Sequence, residues 1–238
     1  MRTVRSFSPQ DLSVAHVAFA PGRRPFALRP PMSQYFDIHP LNPQPRLIKQ
    51  AAQIIGQGGL IALPTDSSYA LACRLDDKAA VERLRRLRGI DDKHHLTLMC
   101  SDLSELGNFA RVDNRQYRWL KGATPGPYVF ILEATKEVPR RLSHPARKTI
   151  GVRVPDHPIP LALLAEVGEP LISATLQLPG DEAPLNEPEV IRARLEKLLD
   201  LVICGGAAPA QPTTVIDLTS GEPELIRQGR GDIGRFGL

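Results

Sequence analysis

Hydroxyl and basic side chains recur where the apolar segments of this chain begin or end. The run Pro64-Thr65-Asp66-Ser67-Ser68-Tyr69 follows the apolar segment 59–63, and a proline in that position cannot extend a central strand. Similar positions are occupied by Arg153, Ser173, Thr175, Thr213 and Thr214. Open α/β sheets bind ligands at strand ends, and hydroxyls, amides and arginines in one cleft suit a phosphorylated ligand together with a small polar one. The pattern predicts such a cleft.

Other kinds of site lack their sequence signatures. No pair of carboxylates suits acid–base hydrolysis, and the sequence has neither a Walker A loop nor a GxGxxG turn. The histidines have no metal-ligand spacing, which favours solvated loop positions for His94, His95, His144 and His157. Cys73, Cys100 and Cys204 form no CxxC pair, so we expect structural thiols in a reducing cytoplasm. No apolar run reaches the roughly 18 residues that a membrane span needs.

The elements that must position these groups alternate between helix and strand. Apolar residues at helical spacing predict helices at 45–57, 76–88, 103–109, 113–121, 158–167 and 188–199. Short apolar runs bounded by turn residues predict strands at 59–63, 69–73, 96–100, 128–133, 149–154, 171–176, 201–204, 213–218 and 224–227. The mixture predicts a single α/β domain with a twisted, mixed open sheet, flanking helices and a concave cleft.

The net charge of +4 comes from the first 31 residues, where five arginines face Asp11 alone. This stretch is rich in Pro and Arg and has no periodicity, which predicts a disordered extension before a domain at 32–238. A start codon assigned too far upstream is the favoured explanation, since Met32 opens directly onto ordered-looking sequence. An organelle-targeting segment and an RNA-binding arm are the alternatives, although the prolines would break a targeting helix.

Four segments together resemble one family. The run 64–71 is similar to the Pro-Thr-Glu-Thr-Val-Tyr-Gly-Leu run of the YrdC/Sua5 family, the threonylcarbamoyl-AMP synthases of tRNA modification. Segments 124–127, 152–158 and 213–217 resemble that family's Trp-Pro-Gly-Pro, Val-Arg-x-Pro-x-His-Pro and Ser-Thr-Val-Val-Asp segments. The order is the family's, and segments 97–100, 132–141 and 148–151 resemble its YciO branch most closely.

The resemblance implies a reaction, in which L-threonine, bicarbonate and ATP with Mg²⁺ give L-threonylcarbamoyladenylate and pyrophosphate. By matching position it implies threonine contacts from Thr65 and Thr214, with Tyr69 shaping that pocket. Phosphate, carboxylate and nucleotide contacts are implied for Arg88, Arg153, Arg227, Thr175 and Gln177. ATP and Mg²⁺ enter as substrate, and no tightly bound metal is predicted. Positioning and electrostatics would do most of the catalytic work.

The chain departs from the synthase pattern at two places. Arg88-Gly89-Ile90-Asp91 stands where synthases carry Lys-x-Arg-Pro, and Thr175-Leu176-Gln177 stands where they carry Ser-Ala-Asn. Lys93 is close enough in sequence to replace the missing arginine. Loss of one of two cations that face a triphosphate costs on the order of a few kcal/mol of transition-state stabilisation. We therefore predict a weak synthase, or one with an altered acceptor.

A protein that binds double-stranded RNA or tRNA and forms no adenylate is the second hypothesis. Basic side chains that could track phosphates are Arg83, Arg85, Arg86 and Arg88 on one helix and Arg140, Arg141, Arg147 and Lys148 in one loop. Residues 32–238 nevertheless carry no net charge and contain no RRM, KH or dsRBD motif. A run of charged residues more often forms a solvent-exposed face than an RNA-binding surface. The sequence leaves both hypotheses open.

Overall fold

A ten-stranded mixed sheet runs through residues 32–91 and 94–238, which are the residues that the computed structural model describes. Its strands are β1 Gln34–Asp37, β2 Ile61–Leu63, β3 Ala70–Arg74, β4 Thr97–Met99, β5 Tyr128–Glu133, β6 Thr149–Arg153, β7 Leu171–Thr175, β8 Leu201–Cys204, β9 Thr214–Asp217 and β10 Glu224–Arg227. Across the sheet the order is β1-β8-β2-β3-β7-β4-β6-β5-β9-β10. The predicted extension 1–31 and Lys93 lie outside the described residues.

Six α-helices connect these strands within the described ranges. They are α1 Pro45–Gly56, α2 Lys78–Arg88, α3 Leu103–Phe109, α4 Asn114–Ala123, α5 Pro158–Val167 and α6 Pro188–Leu195. Asp77 caps α2 by accepting from the amide of Ala80, and Gly89 ends that helix in the left-handed region at a φ of 61°. None of these helices is long and apolar enough to cross a membrane.

The sheet combines parallel and antiparallel neighbours, which confirms the predicted α/β fold class. β1 and β2 both run parallel to β8, β4 runs parallel to β6, and β5 runs parallel to β9. The remaining pairs, such as β3 with β7, are antiparallel. The larger differences from the prediction are that β1 was not predicted and that the helix predicted at 188–199 ends at Leu195, while several other elements differ by one or two residues at their ends.

Side chains on the two faces of the sheet enter two apolar clusters. The larger cluster joins Leu71 of β3 to Leu84 of α2, and the smaller joins Ala70 of β3 to α1 and α5. Because successive strand residues point to opposite faces, neighbours in β3 belong to different clusters. The candidate site lies on the face of Ala70, beyond the part packed against α1 and α5.

Candidate active site

A cavity of about 430 Å³ opens above the strands at the centre of the sheet. Directly paired residues point to the same face, and the register joins Ala70 to Thr175 and Thr97 to both Ser173 and Gly151. Val129 and Val215 are paired in the same way on β5 and β9. The floor is therefore hydroxyl-bearing near β7 and β4 and apolar near β5 and β9. Its residues are Ala70, Thr97, Val129, Ile131, Ser173, Thr175 and Val215.

Three arginines from separate elements reach this cavity. Arg88 is the last residue of α2, Arg153 ends β6 and Arg227 ends β10. All three were predicted as site residues from sequence positions far apart, and the fold brings them to one place. Guanidinium groups present several donors to phosphate or carboxylate oxygens, so the cavity is suited to an anion.

Arg88 and Arg227 have no ion pair with a carboxylate in the described part of the chain. The half-buried Arg88 also has no hydrogen-bond partner for its Nε. Burial lowers the pKa of both guanidinium groups, and the charge of Arg227 lowers the pKa of Arg88 further. Since arginine stays protonated near neutral pH, the two cations face each other at a cost that a bound anion would relieve.

Arg153 is held differently, by a buried ion pair with Asp66. Its Nη2 donates to Oδ1 of Asp66, and the two side chains are only 6% and 9% exposed. Burial lowers the pKa of Arg153, and the charge and hydrogen bond of Asp66 oppose that shift. Sequence reasoning gave Asp66 no role, although it lies in the run from which the cleft was predicted.

The predicted solvated loop position holds for His94, which is exposed, whereas His95 is partly buried, and both histidines line the cavity. The Nε2 of His95 lies 2.8 Å from Oγ1 of Thr149, and its ring stacks on His144 with centroids 5.0 Å apart. Burial is the largest cause that lowers the pKa of both cavity histidines, and Arg88 and then Arg227 lower that of His94 further. Both rings are therefore mainly neutral near pH 7.

His157 has a structural role at the start of α5, where its Nδ1 accepts from the amide of Ile159. The described residues contain no group of three or more His, Cys, Asp or Glu side chains that could hold a metal ion. Cys73 and Cys100 are buried thiols whose pKa is raised by that burial, and all three cysteines are unpaired.

The residues predicted to contact threonine do not line the main cavity. Thr65 is almost fully buried, and its Oγ1 donates to the carbonyl of Ser68 at 2.6 Å. It borders a second cavity of about 360 Å³, together with Asp66, Asp156, His157 and Arg230. The side chain of Tyr69 packs in the larger apolar cluster, and its hydroxyl donates to the carbonyl of Gly206 at 2.8 Å.

Adjacent threonines at the start of β9 have different environments. Thr213 lines the main cavity, whereas the fully buried Thr214 donates to the carbonyl of Gly231 at 2.7 Å and accepts from the amide of Gly229 at 3.0 Å. Alternation along a strand explains this, because Thr213 and Val215 share one face and Thr214 takes the other. The strand-end pattern already placed Thr213 and the run containing Ser68 at the predicted cleft, and the same rule would have separated Thr213 from Thr214.

Of the two residues that replace the synthase Ser and Asn, Thr175 lines the cavity and Gln177 does not. The side-chain amide of Gln177 donates to the carbonyl of Asp181 at 2.9 Å, within the loop that follows β7. That loop is fixed further by Asp181, which accepts from Arg194 at 3.0 Å. The side chain of Gln177 therefore stabilises this loop and does not line the cavity.

The basic residues proposed to track RNA are partly occupied within the protein. Arg83 pairs with Asp200 at 2.9 Å and donates to the carbonyl of Leu198, while the buried Arg85 donates to the carbonyl of Asp91. Arg141 donates to the carbonyl of Leu75 at 2.9 Å. Helix α2 therefore does not present its arginines as one free row.

Comparison with known proteins agrees with this architecture. The Sua5/YciO/YrdC family model, which is described as telomere recombination, matches residues 53–229. The chain belongs to this family. It is 55% identical to YciO of Escherichia coli K12 over 205 residues, which cover 86% of this chain and all of YciO.

Solved structures of this family share the fold. The crystal structure of E. coli YciO matches with a TM-score of 0.84, over 86% of this chain and 100% of that one. Sua5 of P. abyssi, in a crystal structure with L-threonine, matches with a TM-score of 0.75 and 25% identity, over 83% of this chain and 58% of that one. The match to YciO and Sua5 confirms the predicted family and fold.

Proposed function

We propose that this chain forms a carbamoyl adenylate from ATP, bicarbonate and an amino acid, as a synthase of the L-threonylcarbamoyladenylate type. The observation that carries the proposal is that Arg88, Arg153 and Arg227 all line one cavity of about 430 Å³. Two of these cations have no ion pair with a carboxylate within the described residues, so they are available to phosphate oxygens. The Sua5 neighbour, solved with L-threonine, supports threonine as the first acceptor to test.

The proposed reaction depends more on neutralising the negative charge of the phosphates than on acid–base catalysis. Arg88 and Arg227 hold the phosphate oxygens of ATP, which arrives with its own Mg²⁺ as substrate. The amino nitrogen bonds to the carbon of bicarbonate with loss of water, a carbamate oxygen then attacks the α-phosphorus, and pyrophosphate leaves with the electrons of the broken P–O bond. Fixed cations stabilise the charge that develops in that step without reorganising, which is how a site of this kind accelerates phosphoryl chemistry.

Besides its arginines, the cavity is lined by apolar side chains and by hydroxyl groups such as that of Thr175. The apolar part of the floor, formed by Val129, Ile131 and Val215, would contact apolar parts of a ligand. The hydroxyl groups of Ser68, Ser173 and Thr175 would bind polar parts. A nucleoside joined to an amino acid has both kinds of surface. Turnover is expected to be low, or the acceptor to differ from threonine, because Ile90 replaces a synthase arginine and does not line the cavity.

Calorimetric titration of ATP–Mg²⁺ into the wild-type chain tests the proposal at the level of binding. Arg88→Ala removes a guanidinium from the cavity and is expected to weaken ATP binding about tenfold or more, the loss of a charge-assisted contact. Arg86→Ala, on an exposed position of the same helix, is the matched control and is expected to bind like the wild type. Equal affinities in all three proteins would contradict the proposed site.

A further inference from the structure

Asp66 stands between the two cavities of this domain. Asp66 borders the second cavity, and its ion-pair partner Arg153 borders the main one. Within the described residues, Asp66 is the carboxylate that forms an ion pair with Arg153. The wall between the two cavities thus contains a charge pair whose cationic end faces the candidate active site.

The loop that carries Asp66 is fixed by its own hydrogen bonds. Oγ1 of Thr65 donates to the carbonyl of Ser68 and lies 3.3 Å from the amide of Ser67, which donates to it. The amide of Thr65 also donates to the carbonyl of Ser68, at 3.1 Å. A short turn closed in this way fixes the backbone at Asp66, and the ion pair with Arg153 holds its carboxylate.

Stability alone gives a poor reason for this pair. Removing two charges from water carries a large free-energy cost, and a buried ion pair often stabilises a fold no more than apolar residues of the same volume. Neither partner is fully satisfied, because Oδ2 of Asp66 and Nε of Arg153 are buried without a hydrogen-bond partner. The arrangement fixes the direction of a cation, and direction matters most where that cation faces a ligand.

We propose that Asp66 is a positioning residue, which orients the Arg153 guanidinium toward the cavity and reduces its net attraction for anions. The inference rests on the proposed function insofar as Arg153 contacts an anionic substrate. Asp66 keeps Arg153 paired while the cavity holds no anion. It also weakens the hold on product pyrophosphate, because a carboxylate behind the cation repels the same phosphates.

The test uses pyrophosphate as the probe and measures affinity and turnover separately. Asp66→Asn keeps the size of the side chain and removes its charge, so pyrophosphate should bind about three- to tenfold more tightly. Turnover should fall about tenfold or more, because the neutral asparagine no longer holds the Arg153 guanidinium in its orientation toward the cavity. Asp76→Asn is the matched control, because it removes an aspartate from an exposed pair with Arg74 and should leave both quantities unchanged.

Opposite outcomes separate this inference from the proposed function. Unchanged pyrophosphate affinity in a folded Asp66→Asn variant would overturn the role of Asp66, even if the wild type makes adenylate. Tighter pyrophosphate binding in a chain that shows no amino-acid-dependent turnover would support Asp66 and overturn the proposed reaction. Absence of pyrophosphate binding by the wild type would overturn both.

If the asparagine variant does not fold, Asp66→Glu replaces it in the test, because glutamate retains the negative charge. One added methylene shifts Arg153 without neutralising its partner, so pyrophosphate affinity should stay within about twofold and turnover should fall about tenfold. Wild-type turnover in Asp66→Glu would overturn the positioning role.

Discussion

Thr213 binds the guanidinium of Arg227 at three points. The carbonyl of Thr213 accepts from Nε at 3.2 Å and from Nη2 at 3.0 Å, and its Oγ1 accepts from Nη2 at 3.1 Å. The edge strand β10 would otherwise leave a long side chain free to rotate. This contact holds Arg227 in place, so that less side-chain entropy is lost when an anion binds.

Replacement of Thr213 by valine should weaken ATP binding. The substitution keeps the shape and removes the hydroxyl that accepts from Arg227, while the two carbonyl contacts remain. We expect an affinity loss of about three- to tenfold, the contribution of one hydrogen bond to a charged group, with little change in stability. Calorimetry with the wild type as reference measures this, and wild-type affinity would show that Thr213 does not hold a binding residue.

Replacement of Thr214 by valine should act on stability instead. Its hydroxyl joins the carbonyl of Gly231 to the amide of Gly229 in a fully buried setting. We expect the free energy of unfolding to fall by about 1–3 kcal/mol, because buried partners lose their hydrogen bonds. Denaturant unfolding gives the value. If the variant were instead fully stable but had a raised KM for threonine, the contact implied by the family resemblance would be correct.

Acidification should destabilise the domain through His95. Burial and then the neighbouring His144 lower the pKa of His95 from its ordinary 6.5, so the unfolded chain binds the proton more tightly than the folded one. The stability from this histidine is complete above about pH 6.5 and is lost as pH falls through the lower folded pKa. His95→Gln should flatten the fall of unfolding free energy below pH 6.5. Parallel curves for wild type and His95→Gln would refute this.

Introduction of arginine at Ile90 tests the departure from the synthase pattern. Ile90 is half-buried against the larger apolar cluster and follows Gly89 at the end of α2. If a second cation is what the site lacks, Ile90→Arg should raise turnover about tenfold or more. Ile90→Met adds length without charge and should leave turnover near the wild-type value. An unchanged or lower rate for the arginine variant would count against the mapping of this segment.

Most of the fold could be predicted because its signals are local. Pro64 ends β2, Asp77 caps α2, and Gly89 and Gly168 end helices in the left-handed region. β1 gave no such signal, since it is four residues long and only half-buried as it pairs with β8. The order of the strands depends on contacts distant in sequence, which composition and periodicity do not encode.

The candidate site could be predicted only in part. Arg153 was found because a charged residue inside an apolar strand needs a reason, and its partner Asp66 became visible only through the fold. His94 and His95 were predicted as loop residues, but their place beside the cavity was missed because cavity walls made by loops have no periodicity. Family matching placed Thr65, Tyr69 and Thr214 by motif, whereas their side-chain directions depend on strand register.

Release of pyrophosphate from ATP–Mg²⁺ in the presence of bicarbonate, with and without L-threonine, tests the central claim most directly. We expect slow release that depends on L-threonine or on another amino acid in a panel, and that falls by about tenfold or more in Arg88→Ala. The wild type and Arg86→Ala should release pyrophosphate equally. Release that is independent of every amino acid, or none above background while ATP is bound, would contradict the assignment of this cavity to carbamoyl-adenylate synthesis.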